Sequence, residues 1–141
     1  MKTSKLMIED WVHVNVRRTP ISVTHDFNGR VTLIDDLNSQ IGVGNKWAFD
    51  YDEVEPIPLI PEILERNGFC DTYKDRSLAK DNVFKWYDLY GYCVTVDMNA
   101  NAIKIQHDSR VLLDLRYNIV VPVHELQHAL RLCGIDKEIT L

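Results

Sequence analysis

The chain has 141 residues, 45% of them hydrophobic and 26% charged, with a formal net charge of −5. That length sets one domain, or two small subdomains sharing a core, and it is large enough to fold without staples. The acidic balance and the lack of any lysine or arginine run exclude a phosphate-tracking face; non-specific DNA or RNA binding is not expected, while a local basic pocket for one small anion stays compatible.

Along the chain, Val12, Val14 and Val16 alternate with Trp11, His13 and Asn15, the period of a half-buried strand. Ile21 and Val23 begin a second strand. Asp26-Phe27-Asn28-Gly29 reads as a hairpin turn, because Asn-Gly supplies positive φ, and Val31, Leu33 and Ile34 as the returning strand. Asp35 to Asn45 is expected to be a polar connection. Trp47, Phe49 and Tyr51 alternate again, and Val54 leads into Pro56-Ile57-Pro58. Four or five short strands in this span predict a small curled sheet or SH3-like barrel. Pro61 opens a short linking helix, Glu62 to Arg66, stopped by Asn67-Gly68 with Phe69 packing back. Residues 70–82 read as an irregular loop. Strands follow at Val83–Tyr87, Tyr90–Val96, Ala102–Gln106 and Val111–Leu115, with a turn at Asn99-Ala100-Asn101. A helix starting at Pro122 and running to Cys133 closes the pattern, and a short tail follows.

Three cysteines, Cys70, Cys93 and Cys133, are far apart and form no Cys-x-x-Cys pair. Reduced, mostly buried thiols are expected, and with them a cytoplasmic protein. Residues 1–10 lack the apolar core of a signal peptide, and no segment reaches the roughly 18 apolar residues of a membrane span.

Two blocks carry a resemblance. Val54-Glu55-Pro56-Ile57-Pro58-Leu59 with Pro61-Glu62-Ile63-Leu64-Glu65-Arg66-Asn67-Gly68-Phe69 is the first; Val123-His124-Glu125-Leu126-Gln127-His128-Ala129-Leu130 with Cys133-Gly134-Ile135 is the second. In these, and in the Met7-Ile8-x-Asp10-Trp11-Val12 opening, the chain resembles a family of small hypothetical proteins from gut anaerobic bacteria, their mobile elements and phages. Residues 17–50 and 70–120 carry none of it. The resemblance implies that asparagine often stands where this chain has His128, so that the family pattern is H-E-L-Q. It also implies an accessory role, including countering host defence.

His124-Glu125-Leu126-Gln127-His128 spells H-E-x-x-H. On a helix the two histidines share a face as zinc ligands, and Glu125 would be the base acting on metal-bound water. Against this, Arg131 and Gly134 stand where a longer motif has its glycine and last histidine, and only Asp136 and Glu138 follow as carboxylates. Pro122 also sets the helix start close to His124. The alternative is structural: Val123, Leu126, Leu130 and Cys133 form an apolar stripe facing a sheet, with His124, His128 and Arg131 on its exposed flank. Gly42-Val43-Gly44-Asn45 lacks the strand-to-helix setting of a phosphate loop and reads as a hairpin loop. Trp86, Tyr87, Tyr90 and Tyr92, with Trp11, Trp47 and Tyr51, form an aromatic set able to stack on bases, with Arg17, Arg18, Arg76, Lys80 and Arg110 as loop cations; most of these rings also suit core or sheet surface. Cys133 lies at the helix end that disfavours thiolate, and no serine sits in a nucleophile elbow, so neither thiol nor serine catalysis is expected.

Taken together, the expected fold is α+β: an SH3-like β subdomain over 1–58, then over 59–141 a linking helix and an antiparallel sheet covered by a C-terminal helix. The expected function is non-enzymatic binding for a phage or mobile element, sequestering a small anionic nucleotide signal or blocking a host defence partner. The candidate ligand-binding residues are Trp86, Tyr90, Tyr92, Arg110, His124, His128 and Arg131, with no cofactor, no membrane, and a homo-oligomer as one way to build the pocket. The alternatives are a zinc hydrolase using His124, His128 and Glu125, and a structural adaptor.

Overall fold

The computed structural model describes residues 6–7, 9–18, 23–71 and 82–141. The chain divides into two compact units, Met1–Ile57 and Pro58–Leu141. Each holds a five-stranded antiparallel sheet, and the second also carries two α-helices, so the fold is mixed and mostly β, of the α+β class.

In the first unit, β1 (Trp11–Arg18), β2 (Val23–Asp35), β3 (Gln40–Val43), β4 (Lys46–Asp50) and β5 (Val54–Pro56) stand in the order β4-β3-β2-β1-β5. The alternation in β1 works as expected: Val12, Val14 and Val16 are buried with Val31, Ile41, Val43, Phe49 and Val54. Ile21 lies outside the described residues. The turn expected at Asp26–Gly29 is instead strand. Phe27 pairs with Val14, Asn28 with His13 and Gly29 with Val12, inside a β2 of 13 residues. Gly29 is there for space, since a Cβ on it would sit 2.7 Å from Val43 Cγ1. The polar connection expected over Asp35–Asn45 also contains a strand, β3, flanked by two tight turns. Asp35 builds the first by accepting bonds from Asn38 N and Nδ2, and these bonds hold its carboxyl below the usual range. Gly44, at φ +63°, makes the second. Arg17 and Arg18 belong to β1 rather than to a loop.

In the second unit, α1 (Pro61–Arg66) precedes β6 (Cys70–Asp71), β7 (Val83–Tyr87), β8 (Tyr92–Asp97), β9 (Ala102–His107), β10 (Arg110–Arg116) and α2 (Val123–Leu132). The sheet order is β10-β9-β8-β7-β6. Residues 70–71, expected in a loop, pair with Lys85 and Phe84; residues 72–81, with Arg76 and Lys80, lie outside the described residues. Tyr90 and Gly91, expected in a strand, form the β7–β8 turn, where Gly91 adopts φ +93°.

Both helices stop the same way. Gly68 N bonds Glu65 O and Phe69 N bonds Leu64 O after α1; Gly134 N bonds Arg131 O and Ile135 N bonds Leu130 O after α2. These are Schellman caps, which use glycine's positive φ and then fold an apolar residue back on the last turn. α2 lies against β9 and buries Val123, Leu126, Ala129 and Leu130. Each of the three larger side chains contributes about 1.5–3 kcal/mol by that burial. On the sheet, Phe84, Val94, Val96, Ile103 and Ile105 are buried on one face. Strand alternation turns Lys85, Tyr87, Cys93, Thr95, Lys104 and Gln106 to the other.

Candidate functional site

In the H-E-x-x-H block the two histidines share a face of α2. His124 and His128 stand edge to face, with ring centroids 5.5 Å apart. The exposed flank expected for His124 is not observed: the residue is 3% exposed, at the start of α2. The apolar stripe is too narrow a guide here, because α2 also buries Gln127 and Ala129 and so turns a wider face inward. Glu125 has two neighbours. Its Oε1 lies 3.7 Å from His124 Nε2, and its Oε2 accepts the Tyr117 hydroxyl at 3.3 Å. Burial, then the Glu125 charge, pushes the Tyr117 hydroxyl up to about 12. Among the described residues no three His, Cys, Asp or Glu side chains gather as a metal set. Of the two downstream carboxylates, Asp136 is exposed and Glu138 faces Arg131 at 3.7 Å. Burial pushes the Cys133 thiol up, the opposite of an activated nucleophile.

What α2 does hold is the segment after it. Buried Gln127 donates through Nε2 to Lys137 O at 2.9 Å and accepts from Ile139 N through Oε1 at 2.7 Å. Asn67, just after α1, does the same one residue on: its Nδ2 donates to Thr140 O at 2.7 Å and its Oδ1 accepts from Thr140 N at 2.9 Å. Both primary amides act as substitute strand edges for a segment that buries Ile135 and Ile139. The two sequence blocks that carry the resemblance therefore meet at residues 137–140.

On the face of the second sheet opposite its buried apolar row lies an open pocket of about 360 Å³, a size within the range of small-molecule sites. Its floor is one cross-strand row, Tyr87–Cys93–Gln106, with Lys85 beside it on β7. Its rim is two turns. In the β7–β8 turn Asp88 Oδ1 accepts from Tyr90 N at 2.9 Å and Tyr92 N at 2.8 Å, while Asp88 N donates to Tyr92 O. The β9–β10 turn is Asp108-Ser109, with φ +48° and +68°. Positive φ at both positions is the mark of a type I′ hairpin turn; aspartate tolerates it, and serine adopts it only with strain. Asp108 N donates to Gly91 O, linking the two turns, and a Cβ on Gly91 would overlap the Asp108 carboxylate.

His107 ties the same end together. Its Nε2 donates to Tyr90 O at 3.0 Å, and its ring stacks on Tyr92 with centroids 4.4 Å apart. Tyr92 also lines the pocket, and Arg110 pairs with His107 across the hairpin. The tip projects: Leu89 is 100% exposed, Tyr90 78% and Tyr87 66%.

Of the candidate residues, then, Tyr90, Tyr92 and Arg110 come together around His107. His124, His128 and Arg131 stand on α2. Trp86 is on the sheet face opposite Tyr87, tilted against Phe69 and under the Lys137 ammonium at 5.0 Å from its ring. In the first unit, Trp11 lies under Arg30, and Tyr51 donates its hydroxyl to Asp36; the Trp47 side chain lies outside the described residues. Lys85, Gln106 and His107 were not among the sequence candidates. Alternation along Val83–Tyr87 already separates Trp86 from Tyr87, but only strand register shows that Gln106 extends the row. Comparison of the chain with family models, curated proteins and solved structures finds no match.

Proposed function

We propose that the protein is a non-enzymatic binding protein that takes a small, flat, polar molecule into the pocket on the second sheet. The observation that carries this is the open row Tyr87–Cys93–Gln106 between two tight, mutually bonded turns. Tyr87 offers a ring face for stacking, Gln106 an amide for a heterocycle edge, and Lys85 an ammonium for one anionic group. Asp88 and Asp108 oppose a second negative charge. The chemistry favours a nucleoside, or a nucleotide of low charge, over a polyphosphate. Sequestering such a signal for a phage or mobile element, in the cytoplasm, is the setting this reading adopts; Cys70, Cys93 and Cys133 are free, though exposed or half-buried where mostly buried thiols are expected. No helix among the described residues is long and apolar enough to cross a membrane.

For the first unit we infer an SH3-like small barrel. Its last strand, β5, returns to pair with β1, a 3-10 turn at Tyr51–Glu53 leads into it, and the long β2 serves both β1 and β3.

The test is a melting-shift and calorimetric screen of nucleosides and of cyclic and linear nucleotides. A hit weakened by Tyr87→Ala supports the reading, since base–aromatic stacking contributes about 1–3 kcal/mol, or roughly 5–150-fold in affinity. No shift with any of them at high concentration rejects it. A second reading, blocking a protein partner, draws on the exposed Leu89 and Tyr90 at a rigidly bonded tip. There Leu89→Asp would abolish partner binding and leave the pocket untouched. Zinc hydrolysis would need a third donor beside His124 and His128. Metal content of the purified protein, with melting before and after chelation, tests it.

A further inference from the structure

We infer that two copies of this chain associate through β10, edge to edge and antiparallel, about a two-fold axis at Leu115. Among the described residues β10 pairs with β9 alone, so its other edge is the end of the sheet. The register of that edge is fixed by one bond. Tyr117 N donates to Asn101 O at 2.9 Å, continuing the β9–β10 ladder. Ladder alternation then turns the backbone groups of Leu113 and Leu115 toward β9, and those of Asp114 and Arg116 outward to the free edge.

A second β10 can meet this edge in several registers, and charge selects one. Centred on Asp114, the two carboxylates face each other. Centred on Arg116, the two guanidiniums do, and centred on Leu113, Asp114 falls opposite Leu112 and the bulge with no charged partner. Centred on Leu115, Asp114 of each copy stands opposite Arg116 of the other, twice by symmetry, and their outward backbone groups form the bonded pair. Asp114 and Arg116 are both exposed, and Lys104 lies across from Asp114 on β9, so the row runs plus, minus, plus across the interface. On the opposite face Leu115 meets Leu115, and Leu113 meets Tyr117. Leu113 and Leu115 are only half-buried in the single chain, unlike Ile103 and Ile105 beside them on β9. The bulge between Val111 and Leu113 ends the flat edge on one side. Exposed Val111, Leu112, Ile119 and Val120 supply apolar surface along and just beyond it. An edge strand that carries apolar surface and self-complementary charges is a pairing template.

The test is sedimentation equilibrium or light scattering across a concentration series. The wild type is expected to approach twice the 16.4 kDa of one chain. Asp114→Arg and Arg116→Asp should each weaken association at least tenfold, and the double exchange, which restores opposite charges, should recover it. Oxidised Leu115→Cys should give a covalent dimer, because the facing Cα atoms of such a non-bonded pair are about 4.5 Å apart, within disulfide reach. Wild type run in parallel controls for the native thiols. A wild type that stays monomeric at every concentration overturns the inference. So does a dimer that both single charge variants leave intact, or one that Leu115→Cys fails to trap. Far-ultraviolet circular dichroism identifies any misfolded variant, and the cross-linking result then decides. Association only with a different protein's strand would also overturn it.

Discussion

Replacing Gln127 by leucine should loosen the segment after α2 at a calculable cost. Leucine nearly matches glutamine in volume, so little cavity forms, and the loss is that of two hydrogen bonds. Ile139 N is buried and has Gln127 Oε1 as its acceptor at 2.7 Å. Leaving that donor without one costs about 1–3 kcal/mol. Lys137 O lies nearer the surface and regains a bond to water, so its share is about 0.5–1.5 kcal/mol. The sum is about 1.5–4.5 kcal/mol, which for a chain of this size lowers Tm by about 3–18 °C. Urea unfolding should show a lower midpoint at unchanged slope, and amide exchange at Ile139 should quicken ahead of exchange within the sheet. Leu132→Ser, on the exposed side of the same helix, serves as control and should cost less than about 0.5 kcal/mol. If Gln127→Leu matched the control, the clamp described for α2 would be wrong.

Three further outcomes are expected. Gly91→Ala forces a side chain into positive φ and against Asp108; it should separate the two turns, seen as amide shifts at residues 88–92 and 107–110, and reduce ligand binding more than stability. Gly29→Ala brings a methyl within 2.7 Å of Val43 Cγ1 and should destabilise the first unit by about 1–2 kcal/mol, measured by thermal unfolding. Tyr117, raised to about 12 by burial and by Glu125, keeps its proton longer in the fold than in the unfolded chain. Its stabilisation is complete below the ordinary phenol value and is lost as pH rises toward 12. Ultraviolet phenolate titration should show Tyr117 ionising late, and Glu125→Gln should bring it down.

Much of this architecture is legible in the residues. Period-2 alternation identifies β1 and β7–β9, and the Asn67-Gly68 and Gly134 stops identify the ends of both helices, since each signal is local. Three features escape because they are decided at a distance. Asn28-Gly29 carries the local mark of a hairpin, yet Gly29 is needed by Val43 from β3. Asp108-Ser109 makes a two-residue turn without the usual glycine, held by its link to Gly91. Gln127 and Asn67 carry no local mark of their clamping role, which depends on residues 137–140 running past them. The candidate site divides for the same reason. Sequence neighbours Trp86 and Tyr87 point to opposite faces, and Tyr90, Tyr92 and Arg110 are gathered by His107, whose position follows only from register.

The most direct measurement of the binding role is an amide chemical-shift titration of the isotopically labelled protein with a nucleoside and with low-charge nucleotides. Saturable shifts are expected at residues 85–93 and 106–110 alone, lost in Tyr87→Ala, with α2 unmoved. Shifts centred on His124, Glu125 and His128, or no saturable shift anywhere, would contradict that role.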